Sequence, residues 1–256
     1  VSLDKNVVEF QYRSARVELA CLWSFPVAMA LVFGGVWLAG MFPPLSPSSS
    51  SMEVQEFFRD SPNKIRAGMI LSMLGCAVAG LFVAVISTQM KRVEGAFSPL
   101  AYTQLLAGLI SNMLGVLPFA FIQIGAFRAD RMPEILQLLY DSSWLMNLGI
   151  IFPTVLEISV IGACAFMDRS ERIFPRWYAW ICTWVAFVMC ADVLVFFFKA
   201  GPFAFNGIIS FWLELSVFAI WLLITFLILR KSINKSIAEM STIDSSGAHF
   251  SSSVIS

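Results

Sequence analysis

Residues 101–127, AYTQLLAGLISNMLGVLPFAFIQIGAF, contain no charged side chain. A helix rises about 1.5 Å per residue, so a run of this length crosses the roughly 30 Å apolar core of a bilayer with length left for tilt or an interfacial turn. A helix on the surface of a soluble domain would carry a polar face, and this stretch has none. Five further stretches pass the same test, at about 19–41, 67–88, 144–167, 177–198 and 207–229. The expected fold is therefore all-α: a polytopic transmembrane bundle with about six spanning helices over residues 19–230. An N-terminal segment, 1–18, precedes it, and a polar tail, 231–256, follows.

Composition agrees. Of 256 residues 58% are hydrophobic and 13% charged, where a soluble domain carries about one quarter charged residues. The net charge is zero, which gives no argument for a nucleic-acid partner. The first apolar run, from near Leu19, is too long for the apolar region of a signal peptide. The five cysteines, Cys21, Cys76, Cys164, Cys182 and Cys190, all fall in apolar segments and read as small hydrophobes rather than a disulfide framework. The only histidine, His249, lies in the tail. The spans thus offer no histidine for a bis-histidine haem, a di-iron centre, a zinc site or the base of a serine triad.

Basic residues set the expected orientation. With the N-terminus inside, eleven Lys and Arg residues fall on the inner side and six on the outer, so both termini are expected inside. The firmest part of the bias is the SERIFPRW turn at 170–177 and the RKSINK stretch at 230–235. Trp177, Tyr178 and Trp180 fall where an interfacial aromatic belt would place them. The segment 1–18 mixes apolar residues with Arg13, Arg16 and Glu18 and is expected to lie along the inner interface. The first outer loop opens with FPPLSPSSSS (42–51), which disfavours regular structure. MEVQEFFRD (52–60) follows as a short helix with Val54, Phe57 and Phe58 on one side. In the second outer loop Pro133 suits a first helical position, and Ile135, Leu136, Leu138 and Leu139 could cover the bundle mouth. The tail from Ile237 is serine-rich without periodicity and is expected to be mobile.

Acids inside the spans are the default place to look for function, because a charge in the apolar core is costly and turns toward the bundle interior or an aqueous cavity. There are three: Glu157, Asp192 and Glu214. Counting helical rise from the inner ends puts Glu157 and Asn112 at roughly 15 and 16 Å depth in adjacent antiparallel spans, so the amide could donate to the carboxylate as a structural clamp. Asp192 and Glu214 lie roughly 9 and 10 Å from the outer ends of spans five and six, which KAGPFAFNG (199–207) joins. These two could share one layer that titrates, binds a cation or accepts donors from a polar ligand. Lys199 follows Asp192 by seven residues, on about the same helical face, and could tether the upper edge. Ser210 lies one turn before Glu214. Pro118 and Pro153 share a depth in spans three and four, each removing an amide proton and bending its helix. Opposed kinks could open a cavity above Glu157 and Asn112, with Gln123 and Asn147 nearer the mouth. For each of these residues plain packing is the bland alternative. Glycines and alanines, among them Gly34, Gly35 and Gly75, allow close helix approach.

The layout resembles uncharacterised bacterial six-span integral membrane proteins. The similarity rests on a Pro-rich first outer loop leading to the Arg-Gly start of span two, IRAGMI (65–70), and on the Pro-Arg-Trp turn FPRWYAW (174–180) that opens a late span. It implies a multi-pass protein of the bacterial cytoplasmic (inner) membrane and no residue-level mechanism. No nucleotide loop, zincin motif, CxxC pair or ion-filter sequence is present. The first functional expectation is a non-catalytic membrane subunit or scaffold, for instance an accessory subunit of a membrane enzyme complex. Its partners would be membrane lipids and another membrane protein or a second copy. Its Phe- and Trp-rich faces could hold a lipid, quinone or pigment. The alternative is a small proton- or cation-coupled transporter using Glu157, Asp192 and Glu214, with the prolines permitting motion. A membrane enzyme acting on a lipid ranks below both, because no nucleophile is specified.

Overall fold

The computed structural model describes residues 5–252, with side chains described for 9–242. Among the described residues all regular structure is helical: α1 Lys5–Leu22, α2 Ser24–Leu38, α3 Ser51–Asp60, α4 Pro62–Glu94, α5 Pro99–Phe127, α6 Pro133–Gly149, α7 Phe152–Met167, α8 Arg176–Met189 and α9 Glu214–Ser252. Six helical runs are long and apolar enough to cross a membrane: Glu9–Leu38, Pro62–Glu94, Pro99–Phe127, Pro133–Met167, Arg176–Phe196 and Ile208–Thr242. The six-span helical bundle expected from hydropathy is the fold. Leu106, Trp184, Phe187 and Ile220 point outward and stay exposed, as side chains facing acyl chains must.

Lipid tails are as apolar as leucine, so close packing and internal hydrogen bonds hold the spans together. Span one meets span two through small residues: a Cβ added at Gly35 would collide with the Gly68 carbonyl and the Ser72 hydroxyl. That approach lets Ser72 Oγ donate to the Val32 carbonyl at 3.1 Å. Polar groups close the helix ends. The Glu94 carboxylate accepts from the amides of Leu100 and Ala101 at the start of α5 (3.0 and 2.7 Å). At the other end of α5, Arg66 donates to the Ala126 and Phe127 carbonyls (2.7 to 3.1 Å). Each charge matches the helix end it meets.

The buried side chains form two clusters. One, toward the basic end of the bundle, is built on Leu22, Phe82, Met90, Phe174, Tyr178 and Trp221. The other, toward the opposite end, is built on Met41, Phe58, Met69, Ile122, Tyr140 and Phe211. Helix α3 roofs the second cluster. Its Ser50–Glu53 capping box fixes the start, Phe58 is fully buried between Phe57 and Tyr140, and Tyr140 Oη accepts from the Leu45 amide at 2.8 Å.

Several expected boundaries change. Residues expected at the interface, 1–18, belong to α1 from Lys5, and α1 meets α2 at a break at Trp23. In α1, Ala15, Glu18 and Leu22 are buried because the helix packs on α9 and α4. The helical run that contains span four begins at Pro133. Its Leu136, Tyr140, Trp144 and Leu148 form a buried stripe at four-residue spacing, while Ile135 and Leu138 stay exposed. α9 runs on to Ser252, so the serine-rich stretch from Ile237 is helical that far. The side chain of His249 and residues 253–256 of the tail lie outside the described residues.

Candidate functional site

The two buried clusters do not close on one another. Between them lies a cavity of about 320 Å³ with walls from all six spans. Most of its wall is apolar, including Phe25, Phe82, Phe119, Trp144, Phe211 and Trp221. The polar groups that reach it are Glu157, Glu214, Asn112, Asn147, Ser111 and Thr154. Glu157 and Asn112 both line this cavity.

The expected Asn112–Glu157 bond is not formed. Asn112 Nδ2 donates to the Cys76 carbonyl at 2.7 Å, tying span three to span two. The amide that meets Glu157 is Gln104, whose Nε2 donates to Oε1 at 3.0 Å. Gln104 is fully buried and Glu157 nearly so. Gly108 makes the pairing fit: a Cβ there would lie 2.5 Å from Glu157 Oε1 and 2.6 Å from Val83 Cγ1. Gln104, Gly108 and Ser111 stand at i, i+4 and i+7 on one face of α5. Ser111 Oγ accepts from Thr154 at 3.2 Å and donates to the Ala107 carbonyl at 2.8 Å. Gln104 and Ser111 thus direct their polar groups toward α7 from α5, with Gly108 between them. Gln104 was legible as an uncharged amide inside an apolar span, but depth counting from helix ends favoured Asn112.

The short helical segment that carries Asp192 packs against the one that leads into Glu214. Asp192 is buried, and its Oδ2 has no hydrogen-bond partner among the described residues. Glu214 reaches the cavity, whereas Asp192 stands behind it. Asp192 lies outside ordinary α-helix, and Glu214 is the first residue of α9, directly after a non-α segment. After α8 the chain tightens into a 3-10 helix over Cys190–Phe196 that holds Asp192, and span six opens as a π-helix over Ile208–Leu213 that ends at Glu214. Glu157 follows another interruption, at 150–151 between α6 and α7.

The remaining candidates separate. Tightening after Met189 breaks the helical register that would have aligned Lys199 with Asp192; Lys199 is exposed, and its carbonyl accepts from Ser48 Oγ at 3.1 Å. Ser210 Oγ donates to the Phe203 carbonyl at 3.3 Å and holds the connecting loop. Gln123 does not reach the cavity, and its Oε1 is buried without a partner among the described residues. Asn147 lies on the cavity wall. Pro118 lies within an unbroken α5, while Pro153 sits in the first turn of α7, where a missing amide proton costs nothing. The prolines therefore differ: one is carried inside a helix and the other restarts one. Gly149 beside the break lets the Phe196 ring pack where a Cβ would collide.

A second polar cluster, not anticipated, lies toward the basic end. Glu18 accepts from Gln89 Nε2 and from Arg92, both at 2.8 Å, and Ser232 Oγ donates to Gln89 Oε1 at 3.4 Å. It joins α1, α4 and α9, and none of its atoms reaches the cavity. No group of three or more His, Cys, Asp or Glu side chains suited to a metal ion occurs among the described residues. No protein family, curated protein or solved structure matches the chain.

Proposed function

We propose that the chain is a small proton- or cation-coupled transporter of a bacterial cytoplasmic (inner) membrane. Its cargo is a small, largely apolar molecule with a cationic or hydrogen-bond-donating end. The observation that carries this reading is that Glu157 and Glu214 reach one apolar cavity from spans that depart from α-helix beside them. Broken helices around a mid-membrane site are the usual architecture of secondary transporters, because the freed backbone can bend and the site can be exposed in turn. A π-turn inside a helix commonly marks a functional position. An acid beside an apolar cavity gives a proton, a metal cation or a cationic cargo group the same place to bind, and competition for that place is how coupling arises.

The test is flux in proteoliposomes holding the full chain. An imposed pH or cation gradient should drive movement that Glu157→Gln and Glu214→Gln each reduce at least about tenfold, while the folded yield stays the same. Wild-type vesicles that pass no proton, sodium or potassium under any imposed gradient would overturn the reading.

A second reading is a non-catalytic subunit or scaffold that holds an apolar ligand, lipid, quinone or pigment in the same cavity. The predominance of aromatic and aliphatic wall favours it. It expects a defined partner or a bound molecule after purification in mild detergent, and no flux.

A further inference from the structure

The basic end of the bundle carries a cleft of about 740 Å³, formed by α1, the end of α4, the 168–173 turn and α9. Four basic side chains line it, Arg92, Arg169, Arg172 and Lys235, against two acids, Asp168 and Glu239. Topology accounts for basic residues at this end of the molecule, but not for their convergence on one concavity.

Arg92 is paired with Glu18 at 2.8 Å, but the other three charges are not closely cancelled. The Asp168 carboxylate accepts from the amides of Arg172, Ile173 and Phe174 (3.3, 2.9 and 3.0 Å) and from Ser170 Oγ (3.1 Å). Its charge therefore holds the turn, which includes Glu171 at a left-handed φ of 48°, rather than the guanidinium groups. Glu239 answers Lys235 only at 4.0 Å on an exposed helix face, a pairing of little worth. Arg169 and Arg172 make no ion pair among the described residues. Exposed apolar side chains, Phe10 and Met167, also line the cleft.

We propose that this cleft binds a phosphate-bearing anion, the head group of an anionic phospholipid or free phosphate, through Arg169, Arg172 and Lys235. Guanidinium forks match phosphate oxygens, and basic recesses between spans hold phosphorylated head groups in this way. The site is separate from the central cavity and does not depend on transport.

The experiment uses the purified full chain in neutral detergent. Native mass spectrometry reads retention of added phosphatidylglycerol against phosphatidylcholine, and calorimetry reads binding of inorganic phosphate. Preferential retention of phosphatidylglycerol is expected. The double variant Arg169→Gln/Arg172→Gln should weaken it about tenfold or more. Arg128→Gln, at the opposite end, should change it less than about twofold. Because the Asp168 amide bonds survive these substitutions, the thermal midpoint of the double variant should match wild type. Phosphate that binds alone and displaces the lipid identifies a general phosphate site; lipid retention that phosphate does not disturb identifies a head-group site. Equal retention of the two lipids without phosphate binding would overturn the proposal, as would a double variant that binds like wild type or an equal loss in Arg128→Gln.

Discussion

Gln104 on α5 and Glu157 on α7 are joined by a 3.0 Å hydrogen bond across the bundle, and Gly108, one turn beyond Gln104, leaves the space that the carboxylate occupies. An acid is thereby held at a cavity wall by a neutral amide rather than by a cation. The pair orients the side chain without supplying a counter-ion, which leaves the carboxyl group available to whatever enters the cavity.

Gly108→Ala tests the space. Its Cβ would press on Val83 and on the Glu157 carboxylate, so either the helices separate or Glu157 swings away from Gln104. Loss of about 1–3 kcal/mol is expected, measured as a lowered thermal midpoint in detergent, together with reduced flux. Gly115→Ala, whose Cβ would meet only Cys76 Sγ at 3.3 Å, should cost much less.

Gln104→Leu removes the donor and keeps the volume. Glu157 then has lost its interhelical bond, and a buried polar group deprived of its partner costs about 1–3 kcal/mol. Combining it with Glu157→Leu, which removes the acceptor, should not add the two losses, because both act on one bond; a thermal double-mutant cycle reads the coupling.

The polar cluster at the basic end predicts a structural defect without a transport defect. Glu18→Ala leaves the fully buried Gln89 amide without its acceptor and frees the half-exposed Arg92, for about 1–3 kcal/mol. The thermal midpoint should fall while flux per folded molecule is kept. Loss of flux without loss of stability would place Glu18 in the transport path instead.

Asp168 predicts a pH dependence. Burial pushes its carboxyl up, but the bonds from Ile173, Phe174, Arg172 and Ser170 outweigh that and hold it below its ordinary value. A lowered folded value contributes stability that is present above the ordinary carboxylate range, about 3.9, and lost as pH falls through the folded value. Amide exchange at Ile173 and Phe174 should therefore be protected at neutral pH and lose protection only in acid below that range. In Asp168→Asn the protection should be weaker and flat across the same window.

Orientation is open to a direct check. In a chain without its native cysteines, Met132→Cys should react with an impermeant maleimide in intact cells, and Lys231→Cys only after the cells are opened. The reverse pattern would place both ends of the chain outside.

The sequence by itself determined the class of fold and the approximate position of every span. That signal is one-dimensional: a long apolar run has one solution in a bilayer, because each backbone group must be satisfied within its own helix. It also singled out Glu157, Asp192 and Glu214, since acids are scarce in such runs. Which polar group meets which acid was decided only by the tertiary structure. Depth counting paired Asn112 with Glu157, but depth says nothing of rotation about the helix axis or of stagger between helices, and packing turned Asn112 to the Cys76 carbonyl and set Gln104 against Glu157. The alignment of Lys199 with Asp192 assumed α-helical register and failed where the chain tightened into a 3-10 turn. The cavity itself arises from two buried clusters that do not meet, a property of packed volumes that no single segment encodes.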